Sequence, residues 1–140
     1  MVEKIQKTDD EWRELLAPDP YSVLRGAGTE RAFNGPFWDN KETGTYVCGA
    51  CHLPLYASET KFDSGSGWPS YYAPIDEAHI GEVRDTSHGM IRVEATCARC
   101  NSHLGHIFPD GPPPTGLRHC INGHALIFVA DGEDLPALVE

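Results

Sequence analysis

The sequence predicts a mainly β protein with a short helix near its N-terminus and a four-cysteine metal site, on three observations. Residues 91–96 alternate, with Ile91, Val93 and Ala95 on one face and Arg92, Glu94 and Thr96 on the other, the pattern of a half-buried strand. The 14 glycines and 11 prolines punctuate the chain too often for a helical bundle and suit short strands with tight turns. Two C-x-x-C pairs, Cys48/Cys51 and Cys97/Cys100, stand 45 residues apart in a chain of 140 residues. At this length one domain is expected over 1–140, divided into a helix and wrap (1–42), a β core (43–130) and an acidic tail (131–140).

Thr8-Asp9-Asp10-Glu11 has the form of a capping box, and Trp12, Leu15 and Leu16 follow at i, i+3 and i+4, so a helix of about two turns starts there. Pro18 and Pro20 are read as its stop, and residues 21–42 as an irregular wrap whose aromatic side chains anchor it to the core. Thr45-Tyr46-Val47 runs into the first cysteine pair and Leu53–Tyr56 leaves it, while the alternating strand delivers the second pair. Ala125–Val129 is a continuous apolar run of strand length, expected in a central position.

A formal charge of −10 argues against a nucleic-acid binder, and Arg99 is the only basic residue within either C-x-x-C turn. The chain has no apolar run of membrane-spanning length, and its opening residues look like neither a secretory signal nor a transit peptide, so a cytoplasmic protein is expected. Two knuckles that each aim two thiolates at one ion make a closed tetrahedral sulfur site of structural type. Zinc is the expected ion, and iron fits the same four thiolates.

The fifth cysteine, Cys120, has two readings, a small buried hydrophobe or a nucleophile. On a strand it shares a face with Arg118 and Asn122, a charge partner and a hydrogen-bonding partner that favour the thiolate. His103 and His106 directly follow the second knuckle, with Asp110 four residues on, a cluster able to move protons near neutral pH. Trp68, held between Gly67 and Pro69, is either a core indole or a wall for an apolar, methyl-sized group. His124 is expected to be a solvent-facing strand residue.

Four segments carry a resemblance: RGAGTERAFNGPFWDNKETGTYVCGAC from Arg25, KFDSGSGWPSYY from Lys61, VEATCARCNSHLGHIFPDG from Val93 and GLRHCINGHALIF from Gly116. Together they resemble the methionine-R-sulfoxide reductase family, B type, over about residues 7–130. The resemblance implies antiparallel sheets with short N-terminal helices, a zinc on Cys48, Cys51, Cys97 and Cys100, and reduction of methionine-R-sulfoxide, free or in proteins. It implies Cys120 as nucleophile, passing through a sulfenic acid, with His103 and His106 near the sulfoxide oxygen. Trp68 then packs on the substrate methyl group, Phe108 and Asp110 line the pocket, and Arg118 and Asn122 position the thiol. A thioredoxin-type reductant or a small thiol completes the cycle, and a monomer is expected.

Two departures stand out. Many members carry a resolving cysteine where this chain has Ser66, so it is a one-cysteine type or a variant at that position. His119 stands where an aromatic is usual. The rival class is a non-catalytic zinc-stabilised β binding module with an aromatic pocket, in which Cys120 is inert.

Overall fold

The computed structural model describes residues 2–140. Two short helices, α1 (Asp9–Leu15) and α2 (Pro18–Leu24), precede β1 (Gly44–Cys48), β2 (Pro54–Ala57), β3 (Lys61–Phe62) and β4 (Ser70–Tyr71). β5 (Ile80–Asp85), β6 (Arg92–Cys97), β7 (His103–Phe108), β8 (Arg118–Ile121) and β9 (Leu126–Ala130) complete the chain. All pairings are antiparallel, in a three-stranded sheet of order β2-β1-β9 and a six-stranded sheet of order β3-β4-β8-β7-β6-β5. Among the described residues no helix is long and apolar enough to cross a membrane.

The capping box forms as the sequence requires, with Thr8 Oγ1 accepting from the Glu11 amide and Glu11 Oε1 accepting from the Thr8 amide. Trp12 of the predicted stripe is fully buried and Leu16 packs partly buried against the core, whereas Leu15 is 54% exposed. The first helix ends at Leu15, ahead of the prolines as expected, but Pro18 opens a second helix, α2, with Pro20 in its first turn. The first-turn amides have no intrahelical acceptor, so proline loses nothing there. The irregular wrap therefore begins after α2, at Arg25.

β9 is an edge strand and β1 the central one, contrary to the expectation from the apolar run. Ile127 is accordingly 39% exposed. The run is apolar because of what it packs on rather than because of a central position: Phe128 pairs with Tyr46, their rings 4.9 Å apart.

Aromatic rings join the sheets. Tyr46 and Tyr56 are cross-strand partners on the smaller sheet, and both rest on Tyr71 of the larger, at centroid separations of 5.3 Å and 4.4 Å. All three are fully buried. Tyr71 pairs with His119 on β8, so this row of the six-stranded sheet faces the core. Side chains alternate along strands, so the next row faces away from it. That row pairs Ser70 with Cys120, Cys120 with His106, His106 with Glu94 and Glu94 with Val83.

Candidate active site

The four knuckle cysteines are buried, and their sulfurs lie within 4.8 Å of one another. Cys48 and Cys100 sulfurs are 3.7 Å apart, and those of Cys51 and Cys97 3.5 Å. A tetrahedral ion with metal–sulfur bonds of about 2.3 Å has sulfur–sulfur edges of about 3.8 Å, so the donor set fits. The two turns are built alike. The His52 amide donates to Cys48 O (2.9 Å) and the Asn101 amide to Cys97 O (2.8 Å). His52 and Asn101, one residue past each pair, both take positive φ, at 71° and 63°. Four thiolates on a divalent ion leave a net −2, and two guanidinium groups lie beside them. Arg25 Nη1 donates to Cys100 O (2.8 Å), and Arg99 Nη1 to Cys51 O (3.2 Å).

The cluster bears on the chemistry through β6 and β7, which end and begin at the second knuckle. Between them the register slips: Ala95 faces Gly105, but Thr96 faces His103, leaving Leu104 as a bulge. In a regular strand His103 and His106, three apart, would face opposite ways. The extra residue re-aims one of them. Their rings meet edge to face with centroids 5.6 Å apart. Asn122 secures the bulge, its backbone amide and Nδ2 both donating to Leu104 O at 2.9 Å and 3.0 Å.

Each imidazole is held by a carboxylate. His103 Nδ1 is 2.6 Å from Glu94 Oε2, and His106 Nε2 is 2.7 Å from Asp85 Oδ2. Hydrogen bonds from Ser87 and then His106 hold Asp85 well below the usual carboxylate range. Asp85 is thus an acceptor, so His106 carries its proton on Nε2 and keeps a lone pair on Nδ1. Burial lowers the His106 pKa, and hydrogen bonding to Asp85 opposes this.

Cys120, Ser66, Trp68, His106, Arg118 and Asn122 line one cavity of about 290 Å³, together with Phe108. A larger cleft of about 470 Å³, between the wrap and β3, has no cysteine or histidine in its wall and offers no comparable chemistry. Strands β7 and β8 close up beneath the cavity at Gly105, where a Cβ would overlap the Cys120 carbonyl oxygen. The Trp68 indole, half-buried, donates from Nε1 to Glu30 O (3.0 Å).

Arg118 is shared between the cavity and Asp110. Its Nε and Nη2 grip Asp110 at 2.9 Å and 3.2 Å, and its guanidinium lies 4.4 Å from the Phe108 ring centroid. Burial pushes the Cys120 thiol above its ordinary value, outweighing the Arg118 charge and the hydrogen bonds of Ser66 and Arg118 to the sulfur. The polar face read from the sequence is present, but desolvation outweighs it.

The structure gathers Cys120, His106, Trp68, Phe108, Arg118, Asn122 and Ser66 around the cavity. His103 and Asp110 are not among its lining residues and lie against His106 and Arg118 respectively. His124 is not a strand residue: it lies half-buried in the 3-10 turn Gly123–Ala125, because the chain must turn between β8 and β9. Sequence reading misses Asp85, Glu94, Arg92 and Thr29, the last two of which line the cavity. A signal exists for two of them: Arg92 and Glu94 make up the polar face of the alternating strand. Asp85, in a separate segment, becomes visible only when β5 pairs with β6.

A nucleophile-type cysteine opposite a carboxylate-held imidazole, on a sheet clamped by a four-cysteine cluster, defines a thiol-centred site on a metal-knuckle β scaffold. The profile of the SelR domain matches residues 16–130, and the chain belongs to the SelR-domain family. Relatives named peptide methionine sulfoxide reductase MsrB agree along nearly the whole length. That of Pseudomonas putida (strain W619) is 61% identical over 127 residues, covering 91% of this chain and 96% of the relative. The Agrobacterium fabrum protein is 57% identical over 125 residues, covering 89% and 93%. The Thiobacillus denitrificans protein is 58% identical over 122 residues, covering 87% and 92%.

Proposed function

We propose that this chain is a peptide-methionine (R)-S-oxide reductase, with Cys120 as nucleophile and His106 as proton carrier. The observation that carries the assignment of roles is the cross-strand pairing of Cys120 with His106, whose other nitrogen is taken by an ionised Asp85. The free Nδ1 of His106 accepts the Cys120 proton as substrate arrives, and Asp85 stabilises the imidazolium that forms. The sulfur of Cys120 attacks the sulfoxide sulfur, and the imidazolium returns its proton to the oxygen as the oxygen passes to Cys120. Methionine and a Cys120 sulfenic acid result: substrate sulfur is reduced by two electrons and the cysteine oxidised by two. His103, set by Glu94, props the His106 ring edge-on, and Trp68 takes the methyl group.

The ion on Cys48, Cys51, Cys97 and Cys100 is zinc in this reading. With four protein ligands its contribution is to hold β6 and β7 in register rather than to bind substrate. Ser66 has no thiol to form a disulfide, so an external thiol, either a small one or a thioredoxin-type protein, must reduce the sulfenic acid. Single-turnover measurements on the separated R and S epimers of a methionine-sulfoxide peptide test the assignment. Methionine is expected from the R epimer alone, and none from Cys120→Ser. Equal turnover of both epimers, or an active Cys120→Ser protein, would overturn it.

A further inference from the structure

We propose that Glu30, a buried residue of the wrap, is a positioning residue that sets the Trp68 indole, the Asn122 amide and the turn after the nucleophile's strand together. The inference rests on the reductase reading and adds to it a residue outside the cavity wall.

Glu30 reaches all three through different atoms. Its carbonyl accepts the Trp68 Nε1–H at 3.0 Å. Its amide donates to Asn122 Oδ1 at 3.0 Å, and the other end of that side chain holds the Leu104 bulge. Its carboxylate accepts the His124 amide on Oε1 at 2.8 Å, and the Gly123 amide draws on it as well. These two amides open the 3-10 turn Gly123–Ala125, whose cap residue Asn122 makes no side-chain hydrogen bond to it. Asn122 is turned instead toward Glu30 and Leu104, so a residue from the far end of the chain supplies the missing acceptor.

The carboxyl group is tightly enclosed. Glu30 is 8% exposed, and its Oε2 has no hydrogen-bond partner. A buried, half-satisfied carboxyl is a costly way to secure a single turn. Its seat exists because residue 35 is glycine: a Cβ there would overlap Oε2. What the arrangement gains is precision, since the side chain anchors the same backbone that orients the indole and the amide. Misplacement of such groups by a fraction of an ångström to an ångström lowers rates steeply.

The test uses the full, metal-loaded chain labelled with 15N. Trp12, Trp38 and Trp68 give three indole N–H resonances, and Trp68→Phe identifies the third. In Glu30→Ala, solvent exchange at the Trp68 indole is expected to quicken by about tenfold or more while Trp12 is unchanged. kcat/KM on the R epimer should fall by about tenfold, mainly through KM. Glu30→Gln, which keeps the shape and one carbonyl acceptor, should recover part of both. A folded Glu30→Ala with Trp68 exchange and KM within about twofold of wild type would overturn the proposal. If Glu30→Ala is insoluble, Glu30→Gln decides on the same two readouts. Wild-type protein inactive on both epimers would refute the reductase reading, while the indole exchange still tests Glu30.

Discussion

Lowering the pH should destabilise this protein through His119. The imidazole is 3% exposed on the core side of β8, with Nδ1 2.8 Å from the Tyr56 hydroxyl, and burial lowers its pKa from 6.5 to about 4. The unfolded chain therefore binds a proton that the folded chain refuses, and stability is lost as pH falls from 6.5 toward 4. At about 1.36 kcal/mol per pH unit the complete loss is about 3.4 kcal/mol, of which about 1.8 kcal/mol falls between pH 7 and pH 5. Urea denaturation at those two pH values measures it, with a midpoint expected to drop by about 1 M for an m-value of about 2 kcal/mol/M. His119→Phe is the control. It should lower stability by about 1–3 kcal/mol at pH 7, since the Tyr56 hydroxyl loses its partner, and by about 1.8 kcal/mol less than that at pH 5, so that most of the difference between the two pH values disappears. Contributions from all other titrating groups are common to the two proteins and cancel in the comparison. If the midpoints of wild type and His119→Phe shift equally between pH 7 and pH 5, the buried neutral imidazole is not the cause and the reasoning fails.

Asp85→Asn replaces the ionised acceptor on His106 with an amide; single-turnover kcat on the R epimer should fall by about 10²-fold with KM little changed, and a rate within about twofold of wild type would reject His106 as proton carrier. The metal site should hold about one equivalent of zinc by elemental analysis, and Cys97→Ser should yield insoluble or metal-free protein; a folded, active and zinc-free sample would contradict the structural role. After one turnover without reductant, mass spectrometry with a sulfenic-acid trap should label Cys120 alone. A disulfide from Cys120 to any knuckle cysteine would refute the external-thiol route, whereas restored thioredoxin-linked cycling in Ser66→Cys would show that the scaffold accepts a two-cysteine route.

What the sequence discloses of this site depends on whether the information is local. The knuckles are legible because ligand spacing lies within four residues, and Arg118, Cys120 and Asn122 share a face because strand alternation is a short-range rule. The paired imidazoles are legible, but the reason they meet is not: a bulge at Leu104 depends on how β6 and β7 align. Asp85 and Glu30 are invisible because their roles come from partners 21 and 94 residues distant. The environment of Cys120 is only half legible, for a related reason. Charge neighbours can be read along a strand, whereas burial depends on residues from other segments, such as Thr29 and Trp68, that line the same cavity. The prolines are legible as the end of the first helix but not as the start of the second, because a residue that breaks an interior turn can also open a new helix.

The order of strands in the larger sheet separates the two halves of the chemistry in time as the chain leaves the ribosome. β5, β6 and β7 are neighbours in sequence and in space, so this meander, with both imidazoles and both of their carboxylates, emerges as one stretch. β8 emerges later and must insert between β7 and β4, an older strand far upstream. Pairings between distant segments form slowly compared with hairpins. The paired imidazoles and their carboxylates can thus form a sheet before the sulfur beside them has been placed, and the cavity around Cys120 is assembled only when β8 docks between β4 and β7.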